Sequence, residues 1–168
     1  SANREQSLVN GDIDYYVGTY SITDSRKEQI DFAGPYFITG QGLLVAKDNT
    51  DITGPDDLAG KVVCSVTGST PLQRIRDEYS PGDPREYDTY SQCIDQLLQG
   101  QVDAITTDEA ILAGYVAQRP DDLKIAGEPF SEEKYGVGLK KGDDALRGHI
   151  NDLFTEGGDT WQAIFDKN

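Results

Sequence analysis

The sequence predicts an α/β fold with a mainly parallel sheet. Short apolar runs rich in Val, Ile and Leu alternate with stretches whose apolar residues recur at helical spacing. Helix-length segments separate most of the successive strands, and such crossovers are what parallel neighbours need. No internal repeat and no low-complexity tract interrupts the pattern.

Taken in order, residues 13–18 read as a strand and 24–30 as a short helix. Residues 41–46 form an apolar strand, followed by the polar loop 47–57 and a strand over 61–66. A helix is expected from Pro71 to about Tyr79, with Pro71 at its first position and Thr70 as its cap. Strand 86–88, helix 91–99 closed by Gly100, and strand 102–106 follow. Asp108 is expected to cap a helix running to Gln118, and the turn 119–122 leads into strand 123–126. Strand 134–139 and helices 143–156 and 160–166 finish the chain. Trp161, Ile164 and Phe165 share one face of the last helix, which reads as a core-facing stripe.

Composition narrows the partners. A chain of 168 residues suits one domain or two small lobes. It has no apolar run of the roughly 18 residues that a membrane span requires, and its first residues are a polar segment without a leader pattern. A formal net charge of −15 argues against nucleic acid or an anionic membrane surface as partner. It leaves an anionic small ligand open, because local cations decide affinity inside a cleft. One histidine, His149, and no C-x-x-C argue against metal binding or thiol catalysis. Asp51, Asp56 and Asp57 lack calcium-loop spacing and read as a polar surface loop. Cys64 and Cys93 read either as two buried thiols or as a disulfide between a strand and a following helix.

Three segments carry candidate binding chemistry. In TYSITDSRKEQIDFAGPYF, the hydroxyls of Thr19, Ser21 and Thr23 precede Arg26, whose planar guanidinium matches a carboxylate in two-pronged fashion. An isolated Ser-x-x-x-x-Arg reads as a capped helix start with a solvated arginine. Residues 67–71, TGSTP, run from a strand into a helix, which is either an ordinary β–α turn or a set of N–H groups suited to an anion. Asp108 follows another strand end, as a helix cap or as an acceptor for an ammonium group. All of these lie at strand C-terminal ends, where open α/β sheets bind ligands. Tyr20, Phe32, Tyr36 and Phe37 read as packing.

These segments resemble the extracellular solute-binding proteins of amino-acid ABC transporters, family 3. LVNGDIDYYVGTYSIT is similar to the family's strand into its first ligand loop, and LAGKVVCSVTGST, LLQGQVDAITTDEAIL and EKYGVGLKKGDDALRGHIN to its later motifs, in the family's order. Among branches, VCSVTGST with YDTYSQC most resembles glutamate-binding proteins of actinobacterial type.

The resemblance implies a periplasmic-binding-protein type II fold, with two lobes joined by a two-strand hinge. Residues 1–40 and 132–168 would belong to lobe I and 41–131 to lobe II. Lobe I would be incomplete at its N-terminus, because the family carries a preceding strand and helix, often with a ligand-stacking aromatic and a further basic residue. The family's roles would give Arg26 and Ser21 the ligand α-carboxylate, the Thr19 carbonyl and Asp108 its α-ammonium, and Ser69 and Thr70 further contacts, with Thr67 beside them. Val66 stands where glutamine-binding relatives have a lysine, and no residue is evident for a side-chain carboxylate. Glutamate is favoured by overall resemblance; glutamine, aspartate or asparagine stay open. A monomeric lipoprotein or periplasmic protein that docks on a membrane permease is implied, with no cofactor and no covalent chemistry. In such a compartment Cys64 and Cys93 are expected to form a disulfide. The alternatives are a sensor domain or a periplasmic dehydratase on the same type of fold, with Glu109 beside Asp108 as a conceivable acid/base group.

Overall fold

The computed structural model describes residues 1–79 and 82–167. By its internal contacts the chain divides into two compact units, one of residues 1–2 and 39–133 and the other of residues 3–38 and 134–168. Asn168, the end of the expected return segment, and residues 80–81 lie outside the described residues.

The inserted unit holds a five-stranded sheet in the order β5-β4-β6-β3-β7. Its strands are β3 (Gln41–Ala46), β4 (Val62–Val66), β5 (Asp83–Tyr87), β6 (Ala104–Asp108) and β7 (Leu123–Ala126). β4 runs parallel to β5 and β6, while β3 runs antiparallel to β6 and to β7. The expected mainly parallel sheet is therefore corrected to a mixed one. The four strands that follow β3 share a direction. β3 itself is joined to β4 by a loop with one 3-10 turn, Pro55–Leu58, and not by a helical crossover. Alternate residues of β3 supply the two faces of the sheet, as a period of two demands. Leu44 packs with Cys64, Ile105 and the helix residues Ile94, Leu97 and Leu112. Leu43 and Val45 pack with Val63, Ala104, Ile52, Leu58 and Ile75. Both faces are covered, which is why these strands read as continuous apolar runs.

Helix α3 (Thr70–Arg74) starts one residue earlier than expected. Ser69, not Thr70, is the cap: its backbone is extended and its hydroxyl accepts from Leu72 N. After one α turn the helix widens to a π turn over Ile75–Tyr79. Helix α4 (Tyr90–Leu98) opens with a capping box between Thr89 and Gln92. It turns Cys93, Ile94 and Leu97 inward, and Cys93 is bonded to Cys64 with Cα atoms 5.7 Å apart. The expected disulfide is present. Helix α5 (Glu109–Gln118) follows β6 directly.

The other unit is built on the sheet β1-β8-β2, made of β1 (Tyr15–Tyr16), β8 (Glu133–Lys140) and β2 (Ile30–Thr39). Three expectations need correction. The strand over 13–18 shrinks to two residues. Residues 30–39, which contain Gly34–Pro35, form a ten-residue strand that the sequence reading missed, since Gly-Pro reads as punctuation. The polar first segment folds as helix α1 (Arg4–Asn10), closed by Gly11 in the left-handed conformation. Helix α2 spans Asp24–Lys27. Helix α6 (Asp144–Glu156) sets Leu146, Ile150 and Phe154, one per turn, against Ala33, Val137 and Leu139. Helix α7 (Gly158–Phe165) buries no residue; Ile164 and Phe165 are exposed, and its ring face rests on Phe37. The expected core-facing stripe on α7 is thus a partly open one. With α6 and Tyr15, Val17 and Tyr36, Trp161 lines an apolar cavity of about 490 Å³.

Candidate functional site: two polar half-sites

In the β1-β8-β2 unit, the residues from Thr19 to Arg26 fold around a buried aromatic ring. Tyr20 is fully buried, and Arg4 and Arg26 both lie against its ring, their guanidinium carbons 4.1 Å and 5.0 Å from its centre. Cation–π contact of this kind favours desolvated guanidinium. Arg26 Nη1 donates to the Ser21 carbonyl at 2.7 Å, and its Nε meets Glu5 Oε1 at 2.9 Å. Ser21 is held in turn by a bridge to Tyr135 of β8. Thr23 caps α2 by accepting from Arg26 N, so the same short helix that carries Arg26 is anchored at its start. The structure therefore brings Ser21 and Arg26 together, and Arg26 is no solvated helix arginine.

Thr19 stands beside them at a positive φ of 43°, which a β-branched residue rarely adopts. Its N–H donates to the Tyr36 hydroxyl, whose pKa is nonetheless raised, chiefly by burial. Backbone strain of this kind costs about 1–3 kcal/mol and is found preferentially at functional positions.

The sequence reading missed Arg4 and Glu5. Arg4 is 7 % exposed, and its Nε is buried without a hydrogen-bond partner among the described residues. Glu5 Oε1 lies 3.9 Å from that nitrogen. Glu5 thus stands beside both guanidinium groups, 2.9 Å from the Arg26 Nε and 3.9 Å from the Arg4 Nε. Tyr20 adds no charge: burial first, then the nearby Glu5, pushes its hydroxyl pKa far upward. Burial, followed by the Arg4 charge, lowers the pKa of Arg26, a group that stays protonated near neutral pH. The signal in the sequence was the Arg4–Leu8 spacing of an amphipathic turn, whose apolar member joins Tyr20 and Ile30.

In the inserted unit, β4 and β6 lie side by side and parallel, so the turns after them emerge at one end of the sheet. Ser69 and Thr70 follow β4, and Asp108 ends β6. Asp108 is 3 % exposed and occupies the N-cap position of α5, yet its side chain makes no capping bond. The expected capping role is therefore not taken up by the carboxylate. The Ser65 hydroxyl bonds to the Thr106 carbonyl at 2.8 Å and to the Ser69 hydroxyl at 3.3 Å, joining the two turns. Tyr90, at the start of α4, reaches the same place; burial raises its pKa against hydrogen bonds from Thr107, Ser65 and Ser69. Thr70 donates to Glu133 at 3.3 Å, and this nearly buried carboxylate also accepts from Ser131 and lies 3.5 Å from Arg74. Thr67 N donates to the Tyr87 carbonyl, as strand continuation. Tyr90, Ser65 and Glu133 were not singled out from sequence, because only the packing of separate strand ends brings them to Ser69 and Thr70.

Residues 1–167 match the family model for bacterial extracellular solute-binding proteins, family 3. The glutamate-binding protein GluB of Corynebacterium glutamicum is 43% identical over 178 residues, taking in 100% of this chain and 60% of that protein. The ABC transporter glutamine-binding protein GlnH of Bacillus subtilis is 41% identical over 152 residues, 90% of this chain and 55% of that protein. The chain thus spans about 60% of the length of such curated relatives. A solved ancestral arginine-binding protein, bound to glutamine, superposes with a TM-score of 0.93 at 36% identity, covering 98% of this chain and 75% of its own. The mixed α/β architecture with two sheets is that of the periplasmic-binding-protein type II structures. On family model, sequence identity and fold together, the chain belongs to the bacterial extracellular solute-binding proteins, family 3.

Proposed function

We propose that the chain is the substrate-binding component of an amino-acid ABC importer and that it takes up a polar L-amino acid, glutamate ahead of glutamine or aspartate. The observation that carries this reading is the pair of buried guanidinium groups, Arg4 and Arg26, set against the Tyr20 ring in a chain whose net charge is −15. A desolvated guanidinium group, with its planar fork of donors, favours a carboxylate ligand. Arg26 and Ser21 take the ligand α-carboxylate, the Thr19 carbonyl its ammonium, and Arg4 supplies the second cation that a side-chain carboxylate needs. In the inserted unit, Asp108 takes the ammonium group, with Ser69 and Thr70 alongside.

The unit containing Arg26 corresponds in this reading to lobe I and the inserted unit to lobe II. A single amino acid that engages both half-sites favours the conformation in which both engage it, and that form is delivered to the membrane permease. The component works as a monomer outside the cytoplasmic membrane and needs no covalent chemistry. Relatives named for glutamate and for glutamine support the ligand class.

Calorimetric titration of protein stripped of carried-over ligand, against L-glutamate, L-glutamine, L-aspartate and L-arginine, tests the reading. One-to-one binding of an acidic or amide amino acid is expected. Arg26→Ala should weaken it by more than about a hundredfold with an unchanged circular dichroism spectrum. Retained affinity in that variant, or turnover of a bound candidate, would overturn the assignment.

A further inference from the structure

Gln41 is the first residue of β3, and because β3 runs antiparallel to β6 it lies where β6 finishes, directly opposite Asp108. It is fully buried at the head of a strand that continues as Gly-Leu-Leu-Val-Ala. A primary amide in such a place costs free energy unless its polar atoms are paired. Nε2 donates to the Pro71 carbonyl at 3.1 Å and to the Thr106 hydroxyl at 2.8 Å. Pro71 follows Ser69 and Thr70 in the first turn of α3, and Thr106 stands two residues before Asp108. The acceptor Oε1 is buried without a hydrogen-bond partner among the described residues. A methionine would fill a similar volume and leave no such atom.

Neither acceptor depends on the amide for a partner. The Pro71 carbonyl also accepts from Ile75 N inside α3, and the Thr106 hydroxyl donates to the Gly42 carbonyl at 3.0 Å. What the Gln41 amide adds is a tie between the turn after β4 and the end of β6. Its main chain belongs to the same frame: Gln41 N donates to the Ser131 hydroxyl, which donates on to Glu133, the carboxylate that accepts from Thr70. We infer that Gln41 is a positioning residue of the inserted unit's half-site: its amide fixes the Ser69–Thr70 turn relative to Asp108 and thereby sets the affinity for the amino-acid ligand. The inference rests on the reading that Asp108, Ser69 and Thr70 bind the ligand. Small displacements of such groups cost affinity because each must meet its partner at hydrogen-bond distance. The ammonium group is common to all the candidate ligands, so Gln41 governs overall affinity and not the choice between their side chains.

The test measures Kd for L-glutamate and L-glutamine in the wild-type protein, Gln41→Met, Ser69→Ala and the double variant. Gln41→Met should weaken both ligands by a common factor of about ten, the size of one or two net hydrogen bonds. Its melting temperature should stay close to wild type, because no acceptor loses its last partner. In the Ser69→Ala background, where the turn has already lost its cap, the same substitution should cost less than threefold, since residues that act through one element are not additive. A Kd for Gln41→Met within twofold of wild type overturns the inference and leaves the functional reading standing. So does a full tenfold loss on top of Ser69→Ala, which would make Gln41 act independently of the turn. Should Gln41→Met fail to fold, Thr106→Val decides: it removes one end of the tie and should weaken both ligands by about threefold or more, and any smaller loss is equally fatal. If wild-type protein binds neither ligand, the functional reading falls and the inference falls with it.

Discussion

At the scale of single residues, the polar positions divide by what their backbone must do. Gly68 is in the left-handed region at φ +74°, and a Cβ there would lie 3.0 Å from Ala2 Cα and 3.3 Å from Ala2 N. The conformation strains any L side chain and the space is tight, so Gly68→Ala should lower stability by about 1–2 kcal/mol in urea unfolding. Equal stability would show that the turn can relax. Some of this chemistry was legible beforehand. Hydroxyls just ahead of an arginine marked Ser21 and Arg26, and an aspartate after an apolar strand marked Asp108, because local spacing alone puts those groups at strand ends. Arg4 carried no such mark. Its significance comes from the ring of Tyr20, which only the folded chain brings beneath it. Ser69 took the cap assigned to Thr70 for a related reason, since which hydroxyl meets Leu72 N depends on where the chain leaves β4.

At the scale of elements, Asp31 ties β2 to the turn that opens α6. Its carboxylate accepts from Gly142 N at 2.8 Å and lies 3.3 Å from Lys141 and 3.6 Å from Arg147. The Gly142 N–H above all, with the two cations behind it, holds the Asp31 pKa below its ordinary value against the opposing effect of burial. A depressed folded-state pKa gives stability that is complete above the unfolded value of about 3.9 and is lost as pH falls through the folded value. Asp31→Asn should therefore cost about 1 kcal/mol near neutral pH, and the variant and wild-type melting temperatures should converge in acid. A constant gap across pH would contradict the charge-based account. Helices and inner strands of the inserted unit were readable from period and punctuation. β2 was not, because Gly34–Pro35 looks like a break while the strand runs through it beside β8. The direction of β3 was not readable either: connection length constrains a crossover, whereas β3 is linked onward by a loop that permits either direction.

At the scale of the molecule, the disulfide closes a loop over a sequence separation of 29 residues and lies wholly inside the core of the inserted unit. In the chain-entropy model such a loop contributes roughly 3–4 kcal/mol. Replacing Cys64 and Cys93 together by Ala should lower unfolding free energy by about that amount or more, measured without reductant; a loss below about 1 kcal/mol would mean that the cross-link restrains little. The pair of cysteines was visible in the sequence, but the choice between thiols and a bond needed the compartment that the family implies. One more property of the chain follows from its division into units at 38/39 and 133/134. Apart from residues 1–2, the inserted unit is the continuous stretch 39–133, while the other is assembled from both flanks. During synthesis, at roughly 5–20 residues per second, Arg4, Tyr20 and Arg26 emerge early and wait for β8, whose Tyr135 secures Ser21 and whose Leu139 pairs with Tyr15. For that interval two guanidinium groups and an aromatic ring that end up buried have only part of their shelter. A nascent chain halted at Glu133 holds every residue of one sheet and lacks the central strand of the other. The order of birth therefore lets the inserted unit mature first, and leaves the arginine cluster to close after it.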